Sequence, residues 1–207
     1  KRLQYPLIVK SLTYESSIGI SQASVVANEE QLQKRVSYIH ETILTPAIIE
    51  QFIDGRELYV GVVGNHRLRV FPVWEMSFAK MPDSSWRIAT QRVKWSVKYQ
   101  KKYGIDSGPA DLQPGVAENI QHVCKRAFRA LELSGYARID LRLEESGRVW
   151  VLEANPNPQI AKGEDFAASA DRTNAPGRDR HNRAPGASGW RRWHRKHACA
   201  RGPRDWR

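Results

Sequence analysis

At 207 residues, 41% hydrophobic and 27% charged, the chain is long enough for one domain or two small ones around a sizeable core. It carries a formal charge of +11 but no run of about 18 apolar residues, which excludes a membrane-spanning helix, and Lys1-Arg2-Leu3-Gln4-Tyr5-Pro6 lacks the apolar stretch and cleavage site of a secretory signal. Cys124 and Cys199 are too few and too far apart for a disulfide framework or a zinc cluster, so the composition reads as cytoplasmic.

With no initiator methionine and strand-like residues already at Tyr5 to Lys10, the chain is expected to begin inside a longer protein. The apolar run Leu7 to Ser11 predicts a strand, followed by a loop of small residues, Ser16-Ser17-Ile18-Gly19-Ile20-Ser21. Asn28 and Gln31 resemble a capping box, and Leu32, Val36, Ile39 and Ile43 recur at helical spacing until Pro46, so a helix is expected over 29–43. Ala47 to Phe52, Leu58 to Val63 and Val70 to Val73 read as strands separated by Asp54-Gly55 and Gly64-Asn65, an expected antiparallel meander. Residues 77–113 read as a long polar loop with one short helix near Trp95 to Tyr103, and loops of that length are usually functional. Pro114 is expected to open a helix carrying Val116, Ile120, Val123, Ala127 and Leu131 on one face and ending at Gly135.

Charge is unevenly spread. Residues 167–207 hold 11 Lys and Arg against 3 Asp, and contain no Ile, Leu, Val, Met, Phe or Tyr, whereas residues 1–166 carry only +3. Such a tail has too little apolar area to offset its ordering entropy. Three readings stand: a basic disordered tail, a nucleic-acid contact through Trp190-Arg191-Arg192-Trp193, or a segment translated out of frame, which its abrupt Arg, Ala, Gly and Pro bias favours.

A last hairpin spans Tyr136 to Ala154. With Ser146 and Gly147 as its two turn residues, Asp140 falls opposite Glu153 and Arg138 opposite Asn155, all on one face, while Ile139, Leu141, Leu143, Leu152 and Ala154 face the core. Two carboxylates directly opposite repel unless a cation or proton lies between them. One reading is a solvated sheet face with an ordinary Arg/Asp pair. The other is a set of hard oxygen donors for Mg²⁺, with Arg138 placed to neutralise a transferring phosphoryl group and Arg142 farther from the metal set, so that its substitution should matter far less. Lys10 and the Ser-Ser-Ile-Gly loop could together bind a polyphosphate, although no Walker A or Rossmann glycine pattern is present.

Pro6-Leu7-Ile8-Val9-Lys10, the Ser-Ser-Ile-Gly loop, Glu50-Gln51-Phe52-Ile53-Asp54-Gly55-Arg56-Glu57, Arg138-Ile139-Asp140 and Leu152-Glu153-Ala154-Asn155 stand in the order and spacing of the ATP-grasp superfamily. Over residues 5–169 the sequence resembles the D-alanine:D-alanine ligases. The resemblance implies an α+β ATP-grasp fold, two lobes with antiparallel sheets sandwiching ATP. The smaller lobe would span 1–53, the larger 54–166, and the basic tail 167–207. It further implies an ATP- and Mg²⁺-dependent carboxylate–amine ligase, with Mn²⁺ an alternative metal, working through an acyl phosphate on small carboxylate and amine substrates such as amino acids. A homodimer is an option for the longer protein, and related ligases acting on another amino acid, peptide or small acid are the alternative. An inactive nucleotide-binding fragment is another.

By the same resemblance Lys10 contacts the phosphates, Ser17, Ile18 and Gly19 cover them, Glu50, Gln51 and Ile53 line the adenine site, and Glu57 binds the ribose. Asp140, Glu153 and Asn155 match the metal ligands, Arg138 the arginine that steadies the acyl phosphate, and Lys94 the lysine that closes over the phosphates. Ser16, Asn157 and Ser169 are the suggested substrate contacts. Where these ligases follow the metal-binding Asn with a Thr and a Pro-Gly pair, Pro156-Asn157-Pro158-Gln159 stands here, which leaves the acceptor open.

Overall fold

The computed structural model describes residues 3–14 and 17–173, and it forms two antiparallel sheets. The smaller has the order β2-β1-β3, from β1 (Leu7–Ser11), β2 (Val25–Val26) and β3 (Ala47–Gln51). One helix covers it, α1 (Glu29–Tyr38), prolonged by a wide turn over Ile39–Ile43. Asn28 caps α1 by accepting from the Gln31 N–H (2.9 Å), and the Gln31 side chain accepts from the Ala27 N–H (2.8 Å). The expected stripe of Leu32, Val36, Ile39 and Ile43 packs on Leu7, Val9 and Val26.

The larger sheet runs β7-β6-β4-β8-β9, with the short β5 (Arg69–Val70) beside β4 (Arg56–Gly64). Its other strands are β6 (Trp74–Phe78), β7 (Ile105–Pro109), β8 (Gly135–Leu143) and β9 (Val149–Asn155). Alternation along β4 and β8 puts Leu58, Val60, Val62, Ile139 and Leu141 on one face, where Ile120, Cys124 and Phe128 of α4 (Val116–Ala130) complete the core. Each such buried side chain contributes about 1.5–3 kcal/mol. The opposite face is left for polar residues.

Several expectations change. The meander does not form across Asp54-Gly55: β3 pairs with β1, β4 joins the other sheet, and residues 52–55 carry the chain between lobes. Residues 77–113 are not one loop. Thr90 caps α2 (Gln91–Trp95), Ser96 caps α3 (Val97–Tyr103), and β7, whose Gly and Pro hide it from pattern reading, forms a sheet edge. Helix α4 starts after Gly115 and not at Pro114. The boundary at 166 cuts through α5 (Asp165–Arg172), whose Phe166 packs edge-on against Phe71 (5.3 Å). Gly61 accommodates this contact, since a Cβ there would lie 2.4 Å from the Phe71 ring. All three readings of the tail concern, beyond Thr173, residues outside those described.

The lobes are joined by a strap over residues 79–90. The Gln22 amide donates to the Trp86 carbonyl (2.9 Å) and accepts from the Trp86 N–H (2.8 Å), while the Trp86 ring meets Phe52 edge-on at 5.0 Å.

Candidate active site

Three rows of cross-strand partners cross the face of the larger sheet that α4 leaves open. They are Gly61–Arg138–Asn155, Tyr59–Asp140–Glu153 and Glu57–Arg142–Trp150, drawn from β4, β8 and β9. The pairing of Asp140 with Glu153 and of Arg138 with Asn155 is as expected, but it arises differently. The turn is a three-residue loop over 145–147, closed by Glu144 N–H to Arg148 O (3.0 Å), with Gly147 at φ 82°. That loop alone would set Asp140 opposite Leu152. A bulge between Asp140 and Leu141 absorbs one residue of β9 and restores Glu153 to the place opposite Asp140. It also turns Leu152 outward to 44% exposure, which corrects its assignment to the core.

Arg138 grips Asp140 through two parallel bonds, Nε to Oδ1 at 2.7 Å and Nη2 to Oδ2 at 2.8 Å, and lies over the Tyr59 ring at 4.9 Å. Burial pushes the Asp140 carboxyl up to about 6 against the pull of Arg138, with Glu153 adding to the rise. Burial also opposes the charge on Arg138, but the Asp140 carboxylate outweighs it and holds the guanidinium protonated. Glu153 is exposed beside them, and the Asn155 Oδ1 accepts from the Asn157 N–H (2.9 Å). Among the described residues no cluster of three or more His, Cys, Asp and Glu forms, since the third expected donor is an amide. The set nevertheless fits Mg²⁺: two hard carboxylates face each other across β8 and β9, with Arg138 bonded to one of them, and Mg²⁺ takes one or two carboxylates and completes its shell with water and phosphate.

A cleft of about 540 Å³ lies between the lobes. Lys10, Ser17, Ile18, Glu50, Gln51 and Ile53 line its small-lobe side, and Glu57, Lys94, Asp140 and Glu153 its large-lobe side. Lys10 and Glu50 are ion-paired across β1 and β3. The Gln51 side chain is held by Gln4, through bonds to its N–H (3.1 Å) and carbonyl (2.7 Å). A second cavity of about 1080 Å³ opens beyond Glu153, lined by Arg138, Asn155 and Asn157. Lys94, on α2, and Glu153 line both.

Not every expected residue is brought in. Gly19 lines neither cavity, and its carbonyl accepts from Arg35. Ser169, in α5, is 2% exposed and bonds the Phe166 carbonyl (3.0 Å), a structural position that corrects its assignment to substrate. Ser16 lies outside the described residues.

Two arginines have roles that the sequence does not reveal. Arg35, buried on α1, grips the Gly19 carbonyl and Ser24 Oγ (2.7 Å) from behind the loop, a position that strand and loop motifs do not reveal. Arg142 is 4% exposed and donates to Gly55 O, Glu57 Oε2 and Arg87 O, contacts that its distance from the Asp140–Glu153 pair does not reveal. Its parity with Arg138 and Asp140 was the available signal.

A family described as "D-ala D-ala ligase C-terminus" matches residues 1–174. The chain belongs to the D-alanine–D-alanine ligase C-terminal family. Relatives of this domain include a D-alanine–D-alanine ligase of Bordetella avium, 36% identical over 162 residues, covering 76% of this chain and 45% of that protein. Another, from Desulfotalea psychrophila, is 32% identical over 180 residues, covering 82% and 52%. The chain thus spans about half the length of the curated relatives it matches. Among solved structures, the VanG D-Ala:D-Ser ligase of Enterococcus faecalis aligns with a TM-score of 0.61 at 23% identity, covering 81% of this chain and 45% of that one. The Bacillus anthracis D-alanine–D-alanine ligase complexed with ATP aligns at 0.60 and 19%, covering 82% and 47%. At these identities they establish the domain as having the ATP-grasp fold.

Proposed function

We propose that this domain binds ATP between its lobes and catalyses phosphoryl transfer in an ATP-dependent carboxylate–amine ligase. The observation that carries this is the pair of cavities meeting at Lys94 and Glu153. One is lined by the residues expected for a nucleotide, the other opens onto Arg138 and the Asn-Pro-Asn-Pro segment. A carboxylate held in the second cavity attacks the γ-phosphoryl group of ATP in the first, giving an acyl phosphate and ADP, and an amine then displaces phosphate. Lys10 and Lys94 draw the phosphates into place. Arg138 offsets the charge that develops on the transferring group. Asp140, Glu153 and Asn155 would hold Mg²⁺, or Mn²⁺ in its place, which supplies neutralisation of the phosphate oxygens. The substrates are small carboxylates and amines of the amino-acid kind, as the names of the relatives indicate. Asn157 stands where the acceptor is selected, and the VanG ligase, named for D-Ala and D-Ser, illustrates that this fold serves more than one acceptor.

Equilibrium binding of ATP to the chain, with and without Mg²⁺, tests the reading. Affinity should require the metal, and Glu153→Gln should lower it about 10- to 100-fold. Lys10→Ala should weaken ATP binding while leaving the melting temperature nearly unchanged, because a half-exposed ion pair contributes little to folding. ATP binding indifferent to Mg²⁺ and to both substitutions would sink the proposal.

A further inference from the structure

Arg142 is placed unlike an ordinary surface arginine of a sheet. Its guanidinium is almost wholly buried and donates to three acceptors on three separate stretches of chain: Nη1 to the Gly55 carbonyl (2.8 Å), and Nη2 to Glu57 Oε2 (2.8 Å) and the Arg87 carbonyl (2.7 Å). Gly55 belongs to the connection between lobes, Glu57 to β4, and Arg87 to the strap. The guanidinium also lies 5.7 Å from the centre of the Phe52 ring, the residue against which Trp86 packs.

Glu57 receives the benefit. Its carboxylate is 7% exposed, with Oε2 taken by Arg142 and Oε1 accepting from the Tyr59 hydroxyl (2.9 Å), yet the residue still lines the cleft between the lobes. Each carboxylate oxygen accepts about two hydrogen bonds, so one acceptor direction on each oxygen remains. A buried carboxylate with no cation beside it would be costly and would turn or take up a proton.

We infer that Arg142 is a positioning residue for nucleotide recognition: it fixes the Glu57 carboxylate so that its two remaining acceptor directions meet the vicinal hydroxyls of a ribose, and it locks that orientation to the interlobe connection and the strap. This rests on the reading of the cleft as a nucleotide site. A planar fork is needed because a lysine ammonium cannot reach three acceptors spread over three segments. Arg142 touches no nucleotide itself. Its effect is on discrimination of the sugar, not on the phosphates.

Dissociation constants for Mg²⁺-ATP and Mg²⁺-2′-deoxy-ATP, measured on the native chain and on R142Q, E57Q and the E57Q/R142Q double variant, test this as a double-mutant cycle. The native chain should prefer ATP by about tenfold or more, as expected for a hydrogen bond to a charged group. E57Q and R142Q should each reduce that preference to within about twofold, and adding R142Q to E57Q should reduce it no further. Parallel loss of both affinities in R142Q with the preference intact would overturn the proposal and leave Arg142 a structural role. A further change in preference on adding R142Q to E57Q would overturn the route through Glu57; should R142Q alone fail to fold, R142K, which keeps a cation beside Glu57 without the planar fork, takes its place, and a preference left intact in R142K would overturn the proposal. A native chain that binds both nucleotides equally would remove the ribose contact of Glu57, and with it this inference. A chain that binds neither would instead remove the nucleotide reading of the cleft.

Discussion

Asp140 is 5% exposed between a guanidinium and a second carboxylate, and burial there disfavours its charge more than Arg138 restores it. Its folded value of about 6 lies above the ordinary 3.8 of an unfolded chain, so between those pH values the native state holds more protons at this site than the unfolded state does. The contribution of Asp140 to stability is therefore greatest at low pH and falls as pH climbs from about 4 to about 6. Melting temperatures of the native chain and of Asp140→Asn, compared from pH 4 to pH 7 without metal, should show the native chain losing ground to the variant across that window. A difference that moves the other way would mean that the Arg138 pair dominates and that Asp140 is already fully ionised at low pH. Asp140 and Glu153 were readable in the sequence because strand alternation has a period of two. The Arg138–Asp140 pair was readable too, as a solvated one; its burial and two-pronged geometry were not, because they depend on rotamers and on what packs over the pair.

In the β8–β9 hairpin, a turn one residue longer than expected and a bulge one residue deep cancel each other, leaving the Asp140–Glu153 register unchanged. Deleting Leu152 should therefore give a regular ladder in which Glu153 still faces Asp140 and Trp150 still faces Arg142. Mn²⁺ affinity should stay within about threefold of the native value, since the donor pair is retained. ATP affinity should drop, because the outward Leu152 lines the cleft proposed to hold the nucleotide. Loss of Mn²⁺ binding on deletion would show that the twist imposed by the bulge, and not the register alone, aligns the donors. Helix α1 shows the other extreme. Its cap, stripe and stop signals agree, and the expected helix forms with only its last turn widened.

For the whole molecule, the relation between the lobes depends on the strap over 79–90. Trp86 bonds Gln22 of the small lobe through both backbone groups, packs on Phe52 of the connection, and is followed by Arg87, whose carbonyl Arg142 holds. Trp86→Ala keeps the backbone bonds but removes the ring. Since the ring is half-buried, the cost should be about 1–3 kcal/mol, below that of a fully buried aromatic. It should appear as a lower melting temperature together with earlier proteolytic cleavage within 79–90. Unchanged protease resistance would place the hold on the strap elsewhere.

Much of the open sheet face and of α1 is legible from local pattern. Motif order identified the family, alternation set Arg138, Asp140, Glu153 and Asn155 on one face, and helical spacing built α1 and the core face of α4. These are local signals, because caps, periods of two or 3.6 and turn residues act within a few positions of chain. Contacts between residues far apart in sequence emerge on folding alone: β3 and β4 part into different sheets, β7 forms an edge despite its Gly and Pro, and Ser169 packs inward. Folding also places Arg35 behind the small-residue loop and gathers Gly55, Glu57 and Arg87 around Arg142. An arginine carries the same sequence signal whether it is solvated or buried. What differs is the set of acceptors that folding brings within hydrogen-bond reach, and pairs 55 to 87 residues apart leave no periodic trace.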